Sequence, residues 1–118
     1  MAAGQLTRIK AAEGLLGNSN VSLYAVPANQ KITYLELTLC NTDLTTVYAP
    51  FIYFVPSGSN ASAQNLRING VSGVSALKAG ETCVYSWNPF LTAGDSIQGY
   101  AGTANKISYF ISVVLEEV

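Results

Sequence analysis

Turn chemistry returns along this chain at intervals of about ten residues, and the stretches between turns alternate with a period of two. The turns are Val26-Pro27-Ala28-Asn29, Pro56-Ser57-Gly58, Asn69-Gly70, Lys78-Ala79-Gly80, Ala93-Gly94-Asp95 and Gly102-Thr103-Ala104-Asn105. That punctuation leaves no room for helices of ordinary length and confines the chain to short strands. Lys31 to Cys40 predicts a strand with Thr33, Leu35, Leu37 and Leu39 toward a core, and Ile32, Tyr34, Glu36 and Thr38 opposite. Lys106 to Leu115 predicts another, with Ile107, Tyr109, Ile111, Val113 and Leu115 on one apolar face. Shorter strands fit Val21 to Val26, Leu66 to Val71, Glu81 to Trp87 and Ser96 to Ala101. The expected fold is all-β, an antiparallel β-sandwich or jelly roll of about seven or eight strands. Residues 21–118 form that domain. Residues 1–20 form a short N-terminal arm, an edge strand over Gln5 to Lys10 followed by a flexible loop from Gly14 to Asn20.

One run breaks the alternation. From Thr45 to Val55 both sides are apolar, with Val47, Ala49, Phe51, Tyr53 and Val55 against Tyr48, Pro50, Ile52 and Phe54. A strand apolar on both faces is either central in a sandwich or covered by another chain. Pro50 cannot donate to a ladder, which places the run at an edge or a bulge. A greasy edge strand is what a solitary monomer avoids. Tyr34, Tyr48, Pro50, Ile52 and Phe54 are therefore the candidate protein–protein interface.

Composition narrows the chemistry. Of 118 residues, 49% are hydrophobic and 11% charged, the opposite of the balance that keeps a chain disordered. A net charge of −1 carries no footprint for nucleic acid or an anionic membrane. No apolar run approaches the length of a membrane span, and the first residues lack the pattern of a secretory signal. There is no histidine. The commonest general base and the commonest zinc ligand are thereby missing together. Cys40 and Cys83 stand far apart with no second pair, which reads as free thiols rather than a metal site. Asp43 and Asp95 lie in turn sequences where an aspartate bonds nearby backbone. No nucleophile elbow, phosphate loop or paired-carboxylate spacing stands out, and Val71-Ser72-Gly73-Val74 is a plain turn. We expect no catalytic, cofactor-binding or metal-binding residues, and no cofactor.

The aromatic residues point toward surfaces. Phe51, Tyr109 and Trp87 are expected to fill the core, while Tyr34, Tyr48 and Phe54 are harder to bury in one small domain. A surface poor in charge and rich in tyrosine has the composition of an interface. The alternative use of such rings is a glycan platform, for which Trp87, Asn88 and Phe90 are the candidates.

The segments Leu23-Tyr24-Ala25-Val26-Pro27-Ala28, Leu37-Thr38-Leu39-Cys40-Asn41-Thr42, Val55-Pro56-Ser57-Gly58 and Leu91-Thr92-Ala93-Gly94-Asp95-Ser96-Ile97, with the closing strand to Val118, resemble small structural proteins of tailed-bacteriophage virions. The likeness covers roughly Ser22 to Val118, and Asn29 stands where such proteins usually carry glycine. It implies a non-enzymatic β-sandwich or jelly roll that acts by binding. The expected role is decoration or cementing of a capsid as a homo-oligomer, with a trimer favoured and the major capsid protein as a partner. Alternatives are a neck or tail-associated adaptor of the virion, or a carbohydrate-binding adhesion module. The implied location is the virion, after synthesis in the host bacterial cytoplasm, with neither nucleic acid nor membrane as partner.

Overall fold

A computed structural model of the chain describes residues 4–71 and 76–118. Among the described residues there are nine strands: β1 Leu6–Leu15, β2 Val21–Ala25, β3 Gln30–Asn41, β4 Pro50–Val55, β5 Leu66–Asn69, β6 Thr82–Trp87, β7 Leu91–Thr92, β8 Ser96–Ala101 and β9 Ile107–Glu117. A 3-10 turn covers Ala63–Asn65. The strands form two antiparallel sheets packed as a β-sandwich. One has the order β1-β9-β3-β6, with the short β7 also on β3, and the other the order β2-β8-β4-β5. The Ser72-Gly73 turn lies outside the described residues.

The core between the sheets is aliphatic. Leu35, Leu37 and Leu39 of β3, Ile107, Ile111 and Val113 of β9, Ile52 of β4 and Ile97 of β8 are all fully buried. Each such side chain contributes about 1.5–3 kcal/mol relative to an exposed one. Asn29 and Asn105 close their turns at φ of 62° and 65°, the left-handed region that asparagine tolerates better than other non-glycine residues. That tolerance explains why Asn29 can stand where glycine is usual.

Three expectations fail in instructive ways. In β3 the register slips between Ile32 and Tyr34 against β9, so Thr33 is an extra residue. The bulge puts Ile32, 2% exposed, on the same inner side as Leu35, and Thr33 instead donates its hydroxyl to the Val114 carbonyl at 3.3 Å. In β4 the strand starts at Pro50 rather than Thr45; of the expected alternatives it takes the central place, between β8 and β5, with a register irregularity at Ile52/Tyr53 against β5 rather than a free edge. Proline is tolerated there because it is the first residue of the strand. The inner face of β4 is Pro50, Ile52 and Phe54. Finally, β1 extends to Leu15 along β9, and Leu16 is fully buried, so residues 14–16 are not a loop. A bulge at Lys10/Ala12 and the charges of Arg8 and Lys10 protect this long edge from strand-to-strand aggregation.

The two cysteines are separated by the pleat. Cys83 is opposite the inward Leu39, while Cys40 is opposite Thr82 and faces outward. Both are free, and they lie on opposite faces of one sheet, so they cannot bridge to each other.

Candidate functional site

The polar side chains that looked most chemical in the sequence serve the architecture. Asp95 accepts hydrogen bonds from the Ser57 amide (2.8 Å), the Thr92 amide (2.8 Å) and the Thr92 hydroxyl (3.3 Å). One carboxylate thus ties the β4–β5 loop to the β7–β8 turn. Asp43 accepts from the Leu44 amide at 2.9 Å, closing its own turn. Asn41, fully buried, donates to the carbonyls of Thr46 (2.8 Å) and Leu77 (3.0 Å) and accepts from the Asp43 amide (3.0 Å). Among the described residues, no three His, Cys, Asp or Glu side chains converge as metal ligands would.

What the fold does build is an electrical asymmetry between its two sheets. The five-stranded sheet carries Arg8, Lys10, Glu13, Lys31, Glu36, Glu116 and Glu117. Lys10 pairs with Glu13 at 2.9 Å and Lys31 with Glu116 at 3.8 Å. The four-stranded sheet contains one charged residue, Arg67. Because Ile52 and Phe54 point inward, Phe51 and Tyr53 must point outward, where they meet Tyr100 of the neighbouring β8. Phe51 and Tyr100 stack with centroids 4.8 Å apart and planes 14° apart, and Tyr53 lies 6.4 Å from Tyr100 at 12°. Partial burial, and then the adjacent Tyr100 hydroxyl, push the Tyr53 phenol above its ordinary pKa. The rings therefore form a flat, neutral, half-buried aromatic platform on the solvent side. Beside it, the Asn20 and Gln98 amides bond each other at 2.7 Å.

This platform lies on the opposite side of β4 from the one the sequence favours. Of the candidate interface residues, Pro50, Ile52 and Phe54 lie inside the sandwich. Tyr48 packs against the core beside its bridge to Leu77. Tyr34 sits on the other sheet's outer face, its hydroxyl 3.5 Å from Glu36. Phe51, expected in the core, is on the platform, whereas Tyr109 and Trp87 do pack against the core. The parity of β4 is invisible in a run apolar on both sides. A sequence signal did exist: Tyr100 is the one aromatic residue of β8, so its outward position would have marked the facing strand.

The glycan candidates come together. Trp87, at the end of β6, sets its ring edge-on to Phe54 (5.0 Å, 77°) and stacks with Tyr85 (6.0 Å, 14°). Burial first, and then Cys83 and Glu81, push the Tyr85 phenol to about 12. Trp87 and Asn88 line a groove of roughly 280 Å³ where the free edges of β5 and β6 meet, and Phe90 forms its rim. Phe90 is 92% exposed, the most exposed large apolar side chain among the described residues. A second exposed apolar group, Leu44 and Val47, belongs to the β3–β4 loop.

No protein-family model matches the chain, and no curated protein sequence matches it. Solved structures do share its architecture. A chain from the disulfide-linked pili of Bacillus endospore appendages aligns over 100% of this chain and 95% of its own, at 15% identity and a TM-score of 0.57. A capsid chain of cyanophage Pam1 aligns over 98% and 87%, at 11% identity and a TM-score of 0.55. A capsid chain of Ralstonia phage GP4 aligns over 99% and 87%, at 14% identity and a TM-score of 0.54. At such identities what is shared is the fold, a β-sandwich that recurs in proteins built into shells and fibres.

Proposed function

We propose that this protein is a non-enzymatic structural subunit of a phage virion that acts by binding copies of itself and the capsid surface. The observation that carries the proposal is the aromatic outer face of the four-stranded sheet. Phe51, Tyr53 and Tyr100 lie side by side on a sheet whose only charged residue is Arg67, while the other sheet holds a mixed-charge surface suited to water. Interfaces are depleted in charge and enriched in aromatic rings, and a rigid stack loses little side-chain entropy when covered. The motif resemblance and the sandwich shared with phage capsid chains support the same reading. Within that reading we favour decoration of the capsid as a trimer. A neck or tail-associated adaptor would use the same face at far lower copy number.

Light scattering on the purified chain, alone and mixed with empty capsids, tests this. The expected result is a stable oligomer that loads onto capsids in high copy number. The double variant Phe51→Ser, Tyr100→Ser should stay folded and lose both properties. A wild-type monomer that ignores capsids would overturn the proposal. Loading at only about a dozen copies, the order expected for a portal-proximal ring rather than a repeated surface lattice, would move it from decoration to the neck.

A further inference from the structure

Phe90 is not among the hydrophobic side chains packed on the core. Its ring is 92% exposed at the tip of the β6–β7 turn, beside Pro89, and it forms the ridge between two hollows. On one side is the groove lined by Phe54, Pro56, Arg67, Trp87 and Asn88, and on the other a hollow of roughly 200 Å³ formed with Lys31, Thr33 and Thr92. An aromatic ring presented this way offers both of its faces. The polar groups around it are unequal. Lys31 is engaged with Glu116 at 3.8 Å, and Asp95, on the groove wall, spends both carboxylate oxygens on the Ser57 and Thr92 amides.

Arg67 is different. Its guanidinium stands over the Phe54 ring at 5.7 Å, and its Nη1 donates to the Gln64 carbonyl at 3.3 Å and the Leu66 carbonyl at 3.0 Å. Those contacts hold the group in place without neutralising it. Among the described residues Arg67 has no ion-pair partner. The result is a positioned cation on the wall of an aromatic groove whose lining also includes the exposed Asn88. A planar guanidinium matches a carboxylate bidentately, an amide serves hydroxyl groups as donor and acceptor, and a free ring face packs on the C–H face of a pyranose.

We propose that the groove between β5 and β6 is a binding site for an acidic saccharide, with Phe90 as stacking platform, Arg67 as the carboxylate-binding group and Asn88 as the hydroxyl-binding group. A single-stranded nucleic acid fits less well. It requires a basic track along its backbone, and here the second cation is already paired. The proposal is independent of the virion role, because it uses the seam and the β6–β7 turn rather than the outer face of the four-stranded sheet.

The test is titration of the full chain, followed by Trp87 fluorescence and by calorimetry, with oligogalacturonate, with the matching neutral oligosaccharide and with a thymidine oligonucleotide. Oligogalacturonate should bind at least tenfold more tightly than the neutral sugar, with the preference weakening as salt rises. Phe90→Ala should abolish binding of both sugars. Arg67→Gln should remove the preference for the acid while leaving weak binding of the neutral sugar, and Arg67→Lys should restore only part of it. Both sites are exposed, so unchanged near-ultraviolet spectra will confirm that the variants fold. Equal binding of acidic and neutral sugars would overturn the assignment of Arg67. Tighter binding of the oligonucleotide, or no saccharide binding, would overturn the proposal.

Discussion

Asn41→Leu is the substitution that most directly tests how this fold positions its upper loops. Asn41 ends β3 with no exposed surface and satisfies three backbone groups: the Thr46 carbonyl, the Leu77 carbonyl and the Asp43 amide. A net hydrogen bond is worth about 1 kcal/mol, so losing three sets a central figure near 3 kcal/mol. Two corrections act in opposite directions. The Leu77 carbonyl keeps its bond from the Tyr48 amide at 3.1 Å, which lowers the loss. Leucine branches where the amide was flat, and overpacking a filled site typically costs about 1–3 kcal/mol. The expected destabilisation is about 2–4 kcal/mol, or a fall in Tm of very roughly 10–20 °C for a domain of this size. Urea unfolding followed by Trp87 fluorescence measures it directly. Asn41→Asp sharpens the test, because a carboxylate facing two carbonyl oxygens is repelled by both. Its folded pKa is raised above the unfolded value, so the variant is least destabilised at acid pH and loses stability as pH rises through the folded pKa. A loss below about 0.5 kcal/mol for Asn41→Leu, within the range of ordinary surface changes, would refute the view that this amide anchors the loop bearing Leu44 and Val47.

Asp95→Ala should cost about 2 kcal/mol, since two amides lose a charged acceptor at a partly exposed site, while Asp95→Asn should recover about half of that; equal stability of all three proteins in urea would contradict the stapling role. Alkaline pH should unfold the protein selectively. The Tyr85 phenol is raised to about 12 in the folded state, so the stability it confers is complete below an unfolded pKa near 10 and is lost as pH rises from there through 12. Tyr85→Phe should flatten that dependence, and a urea midpoint that does not change over this window would disprove it.

The strands were legible because period and punctuation agree. Ser96–Ala101 coincides with its expected bounds, and Val21–Ala25 and Thr82–Trp87 each lie within one residue of theirs. The closing strand shows its inward face in Ile107, Ile111, Val113 and Leu115. The N-terminal strand was harder to delimit, because Gly14 interrupts the pattern. In the fold Gly14 lies under the Tyr109 ring, whose hydroxyl is 3.1 Å from where a Cβ would stand, so the glycine admits its cross-strand neighbour and the strand continues. The two-residue β7 carries too few positions to have a period at all.

The candidate sites divide along the same line. Trp87, Asn88 and Phe90 sit within four residues of one another, and a tight turn keeps such neighbours together, so their shared groove could be anticipated. Arg67, on the facing strand edge, could not. The proposed docking face depends on which side of β4 looks inward, and a run apolar on both sides leaves that parity open. The partner strands resolve it: Gly99 of β8 lies so close to Ile52 that a Cβ would stand 2.7 Å from its Cδ1, and Phe51 is thereby turned to Tyr100 on the outside. Alternation and turn chemistry are local properties, written in neighbouring residues, and they suffice for an all-β chain with a leucine- and isoleucine-rich core. Bulge positions, strand order and the choice of outer face arise from pairing between distant segments, and those exist only once the two sheets have closed on each other.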